Sequence, residues 1–220
     1  MTLQEQISRI GTRMVACMQK CHGIKNEPHE GVLPRCLSLE SRDSKERGVV
    51  VVGLNPGNAG KPECEYYQST DLSYGAIVNY WEQSLKESNE YYKRLRELAN
   101  QLGLGGTILW TELAKCENDS NVKRPPVQTL RTCANLYLLN ELKLVPNDWP
   151  LIAAGRDAFN ALVYICPSRA VIGIPHPTGS FGDYPRLFEH GKLRARYCDM
   201  IQSTWESTPP LAVWIKTSKE

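Results

Sequence analysis

Hydrophobic and polar positions along the chain fall into two kinds of repeat. Residues 49–52 are a continuous run of valines ending in Gly53, with no polar alternation, the pattern of a parallel strand covered on both faces. Residues 107–113 behind Gly105 and Gly106, Leu151–Ala154 before Gly155, and Val171–Ile174 before Pro175 have the same short apolar character. Four central strands are therefore expected. Leu3, Ile7, Ile10, Met14, Cys17 and Cys21 recur at helical spacing, which predicts an amphipathic helix running to Cys21 with both cysteines facing a core. Tyr91, Leu95, Leu98 and Leu102 form a second apolar row, and Pro125-Pro126 opens a helical segment containing Leu130, Cys133, Tyr137 and Leu138. Residues 26–34 and 41–48 read as loops. Strands alternating with helices predict an α/β fold, a three-layer α/β/α sandwich on a central four-stranded, mostly parallel sheet.

Composition narrows the class without naming it. A chain of 220 residues with 41% hydrophobic and 23% charged positions suits a single domain over residues 1–220 and excludes disordered and collagen-like chains. No apolar run approaches the roughly 20 residues of a membrane helix. Glu5, Arg9 and Arg13 interrupt the N-terminal segment, which argues against a secretory signal and for a reducing, cytoplasmic setting. A net charge of +2 names no partner. The eight cysteines matter more: in a reducing compartment they read as metal ligands or small buried hydrophobes rather than as disulfides.

Ligands of such sheets bind beyond the carboxyl ends of the strands, which directs attention to three segments. Gly53-Leu54-Asn55-Pro56-Gly57 is a stiff turn that lets another backbone approach closely and presents the Asn55 amide to a water or a substrate, although a purely structural turn uses the same residues. Glu112-Leu113-Ala114-Lys115-Cys116 follows a second strand. Pro175-His176-Pro177-Thr178-Gly179-Ser180 places an imidazole and two hydroxyls on a proline-held loop, suited to stabilising developing charge.

Taken in this order, the first and last segments resemble the uracil-DNA glycosylase superfamily, which carries a Gly-x-x-Pro-Gly type loop after its first strand and a His-Pro-Ser/Thr type loop after its last. The GLNPG turn is similar to the mismatch-specific and single-strand-selective branches, whereas the stretch from Lys115-Cys116 through Pro125-Pro126 to Cys133 is similar to the iron-sulfur branches. The likeness spans roughly Cys17 to Gly182. It implies hydrolysis of the N-glycosidic bond of a flipped-out damaged base, uracil or another deaminated base, in base excision repair. DNA, single- or double-stranded, is the implied partner of a monomer that binds no membrane. Asn55 would orient the attacking water and His176 would donate to the departing base. Gly53, Leu54, Pro56, Gly57, Tyr67, Glu112, Thr178, Ser180 and Phe181 would contact substrate. Of the tyrosines after the first loop, Tyr66, Tyr67 and Tyr74, the expected stacking ring is Tyr67, while Phe181 is the expected wedge. Arg186, Lys192, Arg194 and Arg196 are phosphate candidates.

The iron-sulfur likeness implies a [4Fe-4S] cluster on Cys17, Cys21, Cys116 and Cys133. The family spacing at the first pair is Cys-x-x-Cys, whereas this chain has Cys-x-x-x-Cys, so Cys36 is an alternative ligand; Cys64, Cys166 and Cys198 match no family position. A second departure is Glu112, which stands where the iron-sulfur relatives have an Asn that reads uracil. An ionised carboxylate cannot donate to the base, so unless burial keeps Glu112 protonated and amide-like, either uracil is recognised by other groups or the preferred base is not uracil. A nucleic-acid-binding module of the same fold with little or no turnover is the alternative reading, and a nucleotide hydrolase or zinc protein sharing only the layout is a third.

Overall fold

The computed structural model describes residues 1–42, 44–179 and 183–217. The helices are α1 (Leu3–Val15), α2 (Lys61–Gln68), α3 (Tyr74–Tyr80), α4 (Glu90–Gln101), α5 (Val127–Cys133), α6 (Leu139–Leu142), α7 (Arg156–Ile165) and α8 (Ala195–Glu206). The strands are β1 (Ile24–Lys25), β2 (Ser38–Glu40), β3 (Val49–Gly53), β4 (Ile108–Glu112), β5 (Glu117–Asn118), β6 (Leu151–Ala154), β7 (Val171–Ile174), β8 (Phe188–Glu189), β9 (Lys192–Leu193) and β10 (Ala212–Trp214). They divide between two units, each assembled from three separate stretches. The first comprises residues 1–39, 54–87 and 110–145, and the second residues 40–53, 88–109 and 146–220.

In the second unit β10, β7, β6 and β3 lie side by side, and each neighbouring pair runs parallel, with Val51 opposite Ile152 and Ile152 opposite Ile172. All residues of β3, β6 and β7 are buried, as continuous apolar strands of a parallel sheet must be when covered on both faces. The sheet order continues from β3 to β4 and then β2, making six strands. The four expected strands are all present, and the number four is corrected. β2 and β10 are the outermost strands, each three residues long; Ser38 and Glu40 of β2 are buried, whereas no residue of β10 is fully buried. A three-residue edge strand lacks the unbroken apolar run by which the inner ones are recognised.

The first unit begins with α1, which opens on a capping box: Thr2 Oγ1 accepts from the Glu5 N–H at 3.2 Å and the Glu5 carboxylate accepts from the Thr2 N–H at 2.7 Å. The helix stops at Val15, so the expected continuation to Cys21 is corrected. Asn26 Nδ2 donates to the Cys17 carbonyl at 3.0 Å, the acceptor that the Cys21 N–H would use in a continued helix. Both cysteines thereby leave the core stripe and become half-buried members of an irregular segment. The Pro125-Pro126 segment is helical as expected, with Cys133, Tyr137 and Leu138 buried.

Gly11 sits in the middle of α1, where a Cβ would overlap the ring of Tyr74, whose hydroxyl donates to the Leu37 carbonyl at 3.0 Å. In an exposed helix Ala outdoes Gly by about 1 kcal/mol. Here Gly11→Ala is expected to destabilise by about 1–3 kcal/mol, because the overlap outweighs the propensity. Chemical denaturation of the variant against wild type measures the sign.

Candidate functional site

Cys17, Cys21, Cys116 and Cys133 line one small cavity of the first unit, whose wall also includes the apolar Ile24, Pro34 and Leu136 and the polar Gln19, Lys115 and Tyr137. The elements that bring them together follow from local structure. The short antiparallel pair β1–β5, with Ile24 opposite Asn118 and Lys25 opposite Glu117, joins the chain just after Cys21 to the chain just after Cys116. The Thr129 hydroxyl donates to the His22 carbonyl at 2.8 Å, tying α5, and with it Cys133, to the same segment. Cys36 does not line this cavity, so the pair Cys17 and Cys21 is the one that meets Cys116 and Cys133.

Four converging thiols are a donor set that suits either a zinc ion or a [4Fe-4S] cluster. Among the described residues, the one group of three or more ligand atoms within 4.8 Å of one another is Glu27, His29 and Glu30, so the four sulfurs do not form such a close group. The carboxylates of Glu27 and Glu30 already have a cation, since Lys25 Nζ lies 3.0 Å from the one and 2.8 Å from the other.

The cavity's electrostatics favour bound positive charge. Burial pushes the Cys116 thiol up, and so does the negative charge of Cys133, Cys17 and Cys21 around it. Cys133 is pushed up to about 11 by burial, against the pull of Lys115, whose backbone N–H donates to its sulfur at 3.3 Å. Lys115 is itself wholly buried, its ammonium 2.9 Å from Glu141 Oε1 and in contact with the Thr111 hydroxyl. Thiolates at the buried Cys116 and Cys133 would need cations to stay deprotonated, and metal binding there would release their protons.

Asn55 stands directly beside this centre. Its Nδ2 donates to the Pro56 carbonyl at 3.1 Å, the Cys116 carbonyl at 3.4 Å and Asn118 Oδ1 at 3.2 Å. Two of these acceptors are backbone carbonyls, which identifies the end facing them as the NH2. Its Oδ1 has no partner among the described residues and is the end able to accept from a water. The rest of the loop is held by Arg35, buried at 4% exposure, which donates to the carbonyls of Gly57 and Leu33 and pairs with Glu63 at 3.1 Å and Glu117 at 2.8 Å. Glu117 Oε2 also accepts from the Ala59 N–H at 2.7 Å. On the next segment the Ala114 N–H donates to the Leu54 carbonyl at 3.0 Å. A Cβ on Gly57 would meet nothing within 4 Å, so packing inside the protein does not demand that glycine.

Glu112 ends β4 with its Oε2 buried and lacking a hydrogen-bond partner. Burial raises its carboxyl to about 8, against the opposing pull of Lys115 and Arg35, so it is largely protonated at neutral pH. Of the two states left open for it, burial selects the neutral, amide-like one. Nearby Cys36 is pushed up to about 12 by burial and by Glu112.

Tyr67 is corrected. Its ring is 1% exposed, packed with Leu33, Ala76 and Ile77 and edge-on to Tyr66 and Tyr80, and its hydroxyl donates to Glu63 at 3.1 Å. It offers no face on which a base could stack. Tyr74 is likewise core, whereas Tyr66 is half-buried.

The second unit carries the other expected residues. His176 follows β7, and its Nδ1 accepts from the Thr178 N–H at 3.3 Å, which leaves Nε2 as the donor nitrogen. Burial lowers its pKa, so the ring is neutral at pH 7. Tyr91 packs against the imidazole at 5.5 Å between ring centres, and Arg94 donates to the Pro177 carbonyl at 2.6 Å. Arg186 pairs with Asp183, Arg196 covers the Tyr197 ring, and Lys192 is exposed. Ser180 and Phe181 lie outside the described residues.

Arg35, Glu117, Asn118 and Arg94 carried no sequence signal beyond being polar, and Tyr91 none beyond its place in an apolar helical row. Each matters through a partner remote in the chain. No protein-family model and no curated protein matches the chain. Within the described residues no helix is long and apolar enough to cross a membrane.

The raised carboxyl of Glu112 makes a testable demand. Its neutral form is favoured by folding, so its contribution to stability is complete below about pH 4.5 and is lost as pH rises to about 8. Across that window wild type is expected to lose stability relative to Glu112→Gln, by an amount on the order of a few kcal/mol, with a constant difference at higher pH. Denaturant midpoints of the two proteins at a series of pH values check it.

Proposed function

We propose that this chain is a DNA glycosylase of the uracil-DNA glycosylase type, a three-layer α/β/α protein that carries a [4Fe-4S] cluster on Cys17, Cys21, Cys116 and Cys133. The observation that carries the reading is the meeting of the four expected ligands at one cavity whose Cys116 also holds Asn55 through its carbonyl. When bound, the cluster supplies a cross-link between the N-terminal segment and the segments bearing Cys116 and Cys133, and a buried charge centre.

In this reading the water oxygen adds to the anomeric carbon of a flipped nucleotide as the C–N bond breaks and its electron pair departs with the base; the proton that the added water sheds ends on the base anion, leaving a sugar hydroxyl and a neutral free base. Asn55 Oδ1 accepts from that water and orients it; an amide is too weak a base to do more. The neutral His176 donates from Nε2 to the base as negative charge develops there. Neutral Glu112 has both an O–H donor and a carbonyl acceptor, so it suits uracil or another deaminated base that presents an acceptor beside a donor.

Oligonucleotides bearing uracil, hypoxanthine or mismatched thymine, followed by alkali cleavage, test turnover. Abasic sites are expected from wild type. Asn55→Ala and His176→Ala are each expected to lower the rate by about 100-fold or more. Binding without cleavage would instead favour the nucleic-acid-binding module. Anaerobically purified protein is expected to be brown, and Cys116→Ala to lose colour and thermal stability together; a colourless wild type would refute the cluster.

A further inference from the structure

The loop that presents Asn55 is held on one side by three consecutive residues. The Cys116 carbonyl and Asn118 Oδ1 accept from the Asn55 amide, and the Glu117 carboxylate accepts from the Ala59 N–H. Asn118 is held at both ends of its amide. Its own Nδ2 donates to the Lys123 carbonyl at 3.1 Å, which only the NH2 end can do, so its oxygen must face Asn55. Its backbone is anchored in the β1–β5 pair opposite Ile24, and the following Asp119 N–H donates to the Gly23 carbonyl at 3.2 Å. Asn118 is thus a rigid acceptor at a fixed point. Of the remaining acceptors, the Pro56 carbonyl travels with the Asn55 loop and the Cys116 carbonyl is the longest contact.

We infer that Asn118 is the positioning residue of Asn55, holding its Nδ2 so that its Oδ1 faces outward to the reacting water. The inference rests on the glycosylase reading for its chemical consequence but not for its geometry. A carboxamide turned by half a revolution would present an NH2 to the water, the wrong polarity for an acceptor. Asn118 touches no substrate in this scheme, so its removal should slow the chemical step without weakening DNA binding.

Asn118→Leu removes the acceptor at similar volume, Asn118→Ala removes it without bulk should leucine not fold, and Asn118→Asp keeps an acceptor. Crystal structures, single-turnover rates and affinities for the same lesion oligonucleotide are to be compared for wild type and variants. In N118L or N118A the Asn55 amide is expected to turn or adopt several orientations, the rate to fall about 10-fold and the affinity to hold; N118D should restore both orientation and rate. An Asn55 that keeps its orientation without Asn118, or rate and affinity falling together in all variants, would overturn the inference. If wild type cleaves no oligonucleotide while Asn55 still turns in N118L, the positioning stands and the glycosylase reading falls.

Discussion

A guanidinium taken out of water must be met on all sides or it costs more than the fold can bear, and Arg35 is met on all sides. Two carboxylates and two backbone carbonyls surround it, and its own backbone N–H donates to the Lys115 carbonyl at 2.7 Å. Those partners come from α2, from β5 and from the turn after Asn55, so one buried cation obliges three stretches of the first unit to stay in register. The thiol cavity and the Asn55 loop both border on residues that this cation fixes. Lys in its place would keep the charge and lose the planar fork that reaches several acceptors at once.

A second buried cation, Lys115, extends the same logic towards the cysteines. Its ammonium is bound by Glu141 and Thr111, while its N–H reaches the Cys133 sulfur and its carbonyl reaches Arg35. Polar groups satisfied by remote partners in this way act as a frame: none can move without exposing an unpaired group elsewhere. That frame gives a three-residue segment beginning at a proposed metal ligand the rigidity to orient an amide.

Much of the sheet was legible because its inner strands are written twice, once as apolar runs and once as the glycine or proline that ends β3, β6 and β7. The edge strands β2 and β10 were not, since three residues are too few to leave a pattern. The helical stripe through Cys17 and Cys21 misled because periodicity cannot register Asn26, ten or fewer residues on, claiming the carbonyl a longer helix would need. The same stop made those two thiols available to the cavity. The cysteines, Asn55 and His176 stood out by residue type and by place after a strand. Tyr67 stood out equally and is core, because an aromatic ring announces bulk, not exposure. Arg35 and Asn118 were silent, since their roles exist only in contacts between distant segments.

The interleaving of the two units has a practical corollary. Because each is stitched from three separate stretches, trimming either terminus never excises one unit intact; removing residues 146–220, for instance, strips β6, β7 and β10 from beside β3 and leaves that valine strand with an open hydrogen-bonding edge. Deletion mapping would therefore report aggregation where it sought autonomy, and point substitutions are the finer scalpel for this molecule.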